Sequence, residues 1–123
     1  MSADPYNATV RELFANPRHG GDLANAVVAE VAQQGVRLRL AASEAGGRIE
    51  SLRFLAHGCP HVIAACEQFC RTFEGGPTAA IDGFRAADIM CDLSVPVEKT
   101  GRILVLEDAV RLLGREISAA AAT

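Results

Sequence analysis

The residues with the most chemistry to offer are His57-Gly58-Cys59-Pro60-His61, a cysteine with a histidine two positions away on each side. One thiolate and two imidazoles suit the tetrahedral N/S coordination of zinc. A thiolate can also attack an electrophile, provided the cysteine sheds its proton easily. Gly58 permits a sharp or left-handed turn. Pro60 is pre-set for a first helical position, because its missing N–H would be unpaired there anyway. Cys59 is therefore expected at or near a helix N-cap, where the positive end of the helix dipole favours the thiolate. The plainer reading of Cys59 is a small apolar residue packed at a helix start, and that of His57 and His61 is two surface side chains beside it. Cys66, Cys70 and Cys91 read as core thiols.

The flanking segments must position this cluster. Ile49–Leu55 reads as a strand ending on its left, and residues 60–74 as a helix starting on its right. In that helix Ile63, Cys66, Phe69 (or Cys70) and Phe73 form an apolar stripe. Val36–Ala41 alternates apolar and charged residues, as a half-buried strand does. Across a turn at Glu44–Gly47 it pairs with Ile49–Leu55 as a hairpin, with Arg37, Arg39 and Arg53 toward water. Ala26–Ala32 fits a strand or a helical turn, and its three valines favour the strand.

Residues 5–15 read as a short helix with Tyr6, Val10, Leu13 and Phe14 on one face, stopped at Asn16-Pro17. Arg18–Gly21 is then a flexible turn. Beyond Gly75-Gly76, residues 77–84 form a short helix and 86–92 a further turn. Leu93–Gly101 reads as an extended loop. A last helix spans about 102–119, with Leu104 (or Val105), Ala109, Leu112 (or Leu113) and Ile117 inward and a fraying 119–123 tail. The expectation is one α+β domain over residues 1–123, a small three-stranded antiparallel sheet with four to five helices packed on one face.

Composition narrows the function. Half of the residues are hydrophobic and the net charge is −3. The basic residues are scattered, which speaks against nucleic acid. No apolar stretch reaches the length of a membrane span, and the N-terminus lacks signal-peptide order. The expected place is the cytoplasm, where the four cysteines stay reduced. Asp88, Glu107 and Asp108 read as surface or capping groups. No nucleophile, base and acid form a set, so an enzyme is not expected.

Three stretches carry a resemblance. Asn16-Pro17-Arg18-His19-Gly20 follows a tyrosine-containing helix. Arg53–Ala64 joins strand to helix through Gly58-Cys59. Val95-Pro96-Val97-Glu98-Lys99 precedes Leu106-Glu107-Asp108-Ala109-Val110. In this order and spacing they resemble the iron–sulfur cluster assembly scaffold family, the IscU type that also forms the N-terminal domain of NifU. The resemblance implies a scaffold that builds a cluster from iron and from sulfur delivered by a cysteine desulfurase, and that is met by a dedicated chaperone. It implies Cys59 as a ligand of the cluster or of iron.

The departures are specific. Where the family has a first cysteine and an aspartate, this chain reads Ala32-Gln33-Gln34-Gly35. Where it has a histidine and a third cysteine, this chain reads Gly101-Arg102, and the chaperone's Pro-Pro motif becomes Pro96-Val97. A cluster needs about four ligands, and one thiolate cannot hold it alone. His57 and His61 are the nearest replacements, His19 could approach from its loop, and Cys66 and Cys70 lie one to three helical turns away. The expected site is Cys59 with His57 and His61, holding an iron–sulfur cluster or iron, or accepting sulfur on Cys59. The alternatives are a zinc-binding relative and an interaction domain that keeps only the fold.

Overall fold

The computed structural model describes residues 8–121. The start of the first expected helix, including Tyr6, lies outside them, as do residues 122–123 of the tail. The elements run α1 (Ala8–Ala15), β1 (Val27–Gln33), β2 (Val36–Ala45), β3 (Arg48–His57), α2 (Pro60–Phe73), a 3₁₀ segment (Thr78–Gly83), α3 (Ala86–Asp92), a 3₁₀ turn (Val97–Lys99) and α4 (Thr100–Ala121). The α+β class and the three-stranded antiparallel sheet, ordered β1-β2-β3, are as expected.

Both hairpins close through two residues of positive φ, Gln34-Gly35 and Gly46-Gly47. That geometry matches the twist of the strands. The register pairs Glu30 with Arg39 and Arg39 with Leu55, and it shifts once between Ser43 and Glu44. Alternation then sends Ala29, Leu38, Leu40, Leu52 and Phe54 to one face, where all are buried. On the opposite face Arg37 is exposed and Arg39 and Arg53 are half-buried. Arg39 pairs there with Asp22 and Glu30.

The helices cover the apolar face, α4 across β1 and β2 and α2 along β3. α2 is enclosed on most sides, its buried residues including Val62, Ala65, Cys66, Phe69 and Cys70. Phe69 anchors an aromatic group, with ring centroids 5.1 Å from Phe73 and 5.2 Å from Phe84. In α4 the inward residues are Val105, Ala109, Leu113 and Ile117, while Leu104 is exposed.

Four expectations change. Leu93–Gly101 is not an open loop: it carries a 3₁₀ turn capped by Pro96, and α4 starts at Thr100. The final helix continues through Ala121. Phe14 is 43% exposed, because α1 buries only Val10 and Leu13. Cys91 is exposed, since α3 turns Ala86 and Ile89 inward and Cys91 lies two residues past Ile89, on the other side.

Candidate functional site at the start of helix α2

Cys59 is the N-cap of α2, with φ −82° and ψ 166°, and Pro60 follows at the first helical position. Its carbonyl accepts the Val62 and Ile63 amides at 3.0 and 3.2 Å. Of the sharp or left-handed turn expected at Gly58, the chain takes a bend without a left-handed backbone. A Cβ there would lie 3.5 Å from Val36 and Val62, an ordinary contact.

The Cys59 thiol is half-buried. Burial alone would raise its pKa. The Val62 amide, the Arg102 guanidinium, the His61 amide and the charge of Lys99 outweigh burial and hold the thiol below its ordinary value. The early start of α4 makes this possible, because it brings Arg102 into the first helical turn. Gln34 at the tip of the β1–β2 hairpin lies beside Gly101, where a Cβ would meet its Oε1 at 3.7 Å, an ordinary contact. Cys59 thus faces cations and amides supplied by two helix starts.

The flanking histidines occupy different surroundings. His57 is exposed at the end of β3, opposite Arg37. His61 is fully enclosed in the first turn of α2, and burial, with the nearby Lys99 charge, lowers its pKa. Among the described residues no three His, Cys, Asp or Glu side chains gather as a metal-holding group. The zinc set of Cys59, His57 and His61 is therefore not assembled.

His19 does not approach Cys59. Its ring nitrogens face Glu67 and Glu74 at 2.7 and 2.9 Å. Cys66 and Cys70 are buried as expected, and burial pushes both thiols up, away from reactivity. Glu107 accepts the Ala86 amide at 2.9 Å, the capping role expected of it.

Sequence reasoning missed Arg102 and Lys99 as neighbours of the thiol. The signal was present in part, since Arg102 stands where the resembling family has its third cysteine. What hid it was the assignment of Lys99 and Gly101 to a loop.

The family model for the NifU-like N terminal domain matches residues 5–113. The chain belongs to the NifU-like N-terminal domain family. Within it, this chain is 25% identical over 114 residues to the mitochondrial iron sulfur cluster assembly protein 1 of Eremothecium gossypii, covering 86% of this chain and 74% of that one. Among solved structures it is similar to the N-terminal NifU-like protein of Brucella abortus, with a TM-score of 0.60, 18% identity, and coverage of 91% of this chain and 82% of that one. A putative iron–sulfur cluster assembly scaffold protein for the SUF system of Fervidobacterium islandicum AW-1 gives 0.59 and 18%, covering 90% and 85%. These two likenesses concern the fold.

Proposed function

We propose that this chain serves iron–sulfur cluster assembly as a scaffold-type protein whose working group is the Cys59 thiolate. Family membership supports the process, and the cationic surroundings of Cys59 support the residue. The side chains around this thiol do not fit a cluster held by the chain alone, because among the described residues no three His, Cys, Asp or Glu side chains gather to hold one. The geometry favours receiving sulfur instead. A thiolate at a helix N-terminus beside two cations is poised to attack a sulfane sulfur.

In the proposed step the donor is a protein persulfide, R–S–SH, of the kind a cysteine desulfurase forms. The Cys59 thiolate attacks its terminal sulfur. The new bond is Cys59 Sγ–S, the bond broken is the donor's S–S, and the donor leaves as R–S⁻. The proton stays on the transferred sulfur, and no external oxidant or reductant enters. Arg102 and Lys99 hold the thiolate before transfer, and they hold the persulfide anion once its outer S–H has passed its proton to solvent. The chain itself catalyses no turnover, and its reduced thiols suit the cytoplasm. A chaperone reading the segment before α4 would meet Pro96-Val97, where Val97 is 88% exposed.

The test is incubation of the anaerobic protein with a cysteine desulfurase and cysteine, followed by peptide mass spectrometry. One added sulfur on the Cys59 peptide is expected, and none in Cys59→Ser. Sulfur on Cys91 alone, or on no cysteine, would reject the assignment.

A further inference from the structure

The ring of His19 sits between two carboxylates. Nδ1 is 2.7 Å from Glu67 Oε2, and Nε2 is 2.9 Å from Glu74 Oε1. Glu67 also accepts the His19 backbone N–H at 2.8 Å, and its side chain is fully buried. An ionised carboxylate only accepts hydrogen bonds, and a neutral imidazole has a single N–H. Both contacts are therefore satisfied together only when the ring carries both protons.

This bridge fastens one segment to the rest of the fold. The His19 carbonyl accepts the Phe54 amide at 2.9 Å, and the Gly21 amide donates to the Phe54 carbonyl at 2.9 Å. Residues 19–21 thereby lie along the outer edge of β3. Just before them is α1, packed on α2. The charged groups facing the bridge come from every neighbouring element. Arg71 of α2 donates to Glu67 at 2.8 Å and reaches Glu12 of α1 at 3.4 Å. Arg53 of β3 meets Glu74 at 3.0 Å, and Arg18 lines the same surface hollow.

We propose that His19, Glu67 and Glu74 form a pH-sensitive latch that holds the 19–21 segment, and α1 with it, against α2 and β3. The latch is closed while the imidazolium spans both carboxylates. It loosens when the ring gives up one proton, because one ring nitrogen then turns its lone pair toward a carboxylate oxygen. Arg71 and Arg53 pair with Glu67 and Glu74, and with the His19 contacts they hold both carboxyls below their ordinary value, so the ring is the member of the bridge that carries the exchangeable proton.

The experiment follows the ring and the backbone of the full chain together by NMR, from about pH 5.5 to about 8.5. Long-range proton–nitrogen spectra should show both His19 nitrogens protonated at the lower end and only one at the upper end. Over the same interval, amide-exchange protection of His19, Gly21 and Phe54, corrected for intrinsic rates, should fall about tenfold or more. His19→Arg, which keeps its charge, should flatten that dependence, and His19→Gln should remove it at lower protection. A singly protonated His19 ring at the lower end would overturn the latch, as would an unchanged pH profile in His19→Gln. Should either variant fail to fold, the wild-type ring spectra still decide.

Discussion

Arg102, in the first turn of α4, stands beside the Cys59 thiol at the first turn of α2, so two helix starts converge on one sulfur. The amides at the start of α2, the guanidinium and the Lys99 charge act on the same atom in the same direction. The thiol's ordinary value near 9.0 is lowered despite its half-burial.

Alkylation of the native protein near neutral pH should therefore modify Cys59 and the exposed Cys91 and spare the buried Cys66 and Cys70. In a Cys91→Ser background, Arg102→Ala should slow the Cys59 reaction by roughly threefold to tenfold at fixed pH, with the rate profile moved to higher pH. Rates read by mass spectrometry at several pH values check this, and an unchanged profile would remove Arg102 from the site.

Acid should weaken the fold through Glu67 and Glu74. Burial raises both carboxyls, but the His19 amide and ring, with Arg71, bring Glu67 below its ordinary 4.5, and the Leu52 amide, His19 and Arg53 do the same for Glu74. A depressed carboxyl contributes stability above its unfolded value and loses it as the pH falls through the folded one. The urea midpoint should drop below about pH 4.5, and Glu74→Gln should make the drop shallower. Glu67→Ala should cost roughly 2 kcal/mol or more near neutral pH, since it strands the His19 amide and ring.

Phe69→Ala should be among the most damaging core changes, at about 3–5 kcal/mol, because it removes the ring that touches both Phe73 and Phe84. Denaturant unfolding followed by circular dichroism measures the loss.

Gly114→Ala tests a close approach. A Cβ there would lie 3.1 Å from Asp82 Oδ1 and 3.7 Å from Ile81 Cδ1. Asp82 is exposed, so its carboxylate can swing aside. The gain of about 1 kcal/mol from replacing a mid-helix glycine then outweighs the contact, and the melting temperature should rise by a few degrees.

The sheet was legible because Val36–Ala41 and Ile49–Leu55 alternate cleanly, and α2 because its apolar residues recur at helical spacing. Val27–Gln33 was harder, since Val and Ala fill a strand or a buried helix equally well. The segment before α4 misled because Pro96 and Gly101 read as breakers. In the fold Pro96 caps a 3₁₀ turn and Gly101 occupies the first turn of α4. The burial of Glu67 was invisible locally, because a mid-helix glutamate reads as solvated and its partner His19 lies 48 residues away. Cys59 was found through its neighbours Gly58 and Pro60, whereas its cations, Lys99 and Arg102, come from the far end of the chain.

Since α2 is hemmed in by α1, β3, α3 and α4, the sulfur at its tip stands on a fixed post. In the proposed transfer it cannot swing out toward a donor, so the donor must bring a reaching arm, and the travel in that exchange belongs to the visitor.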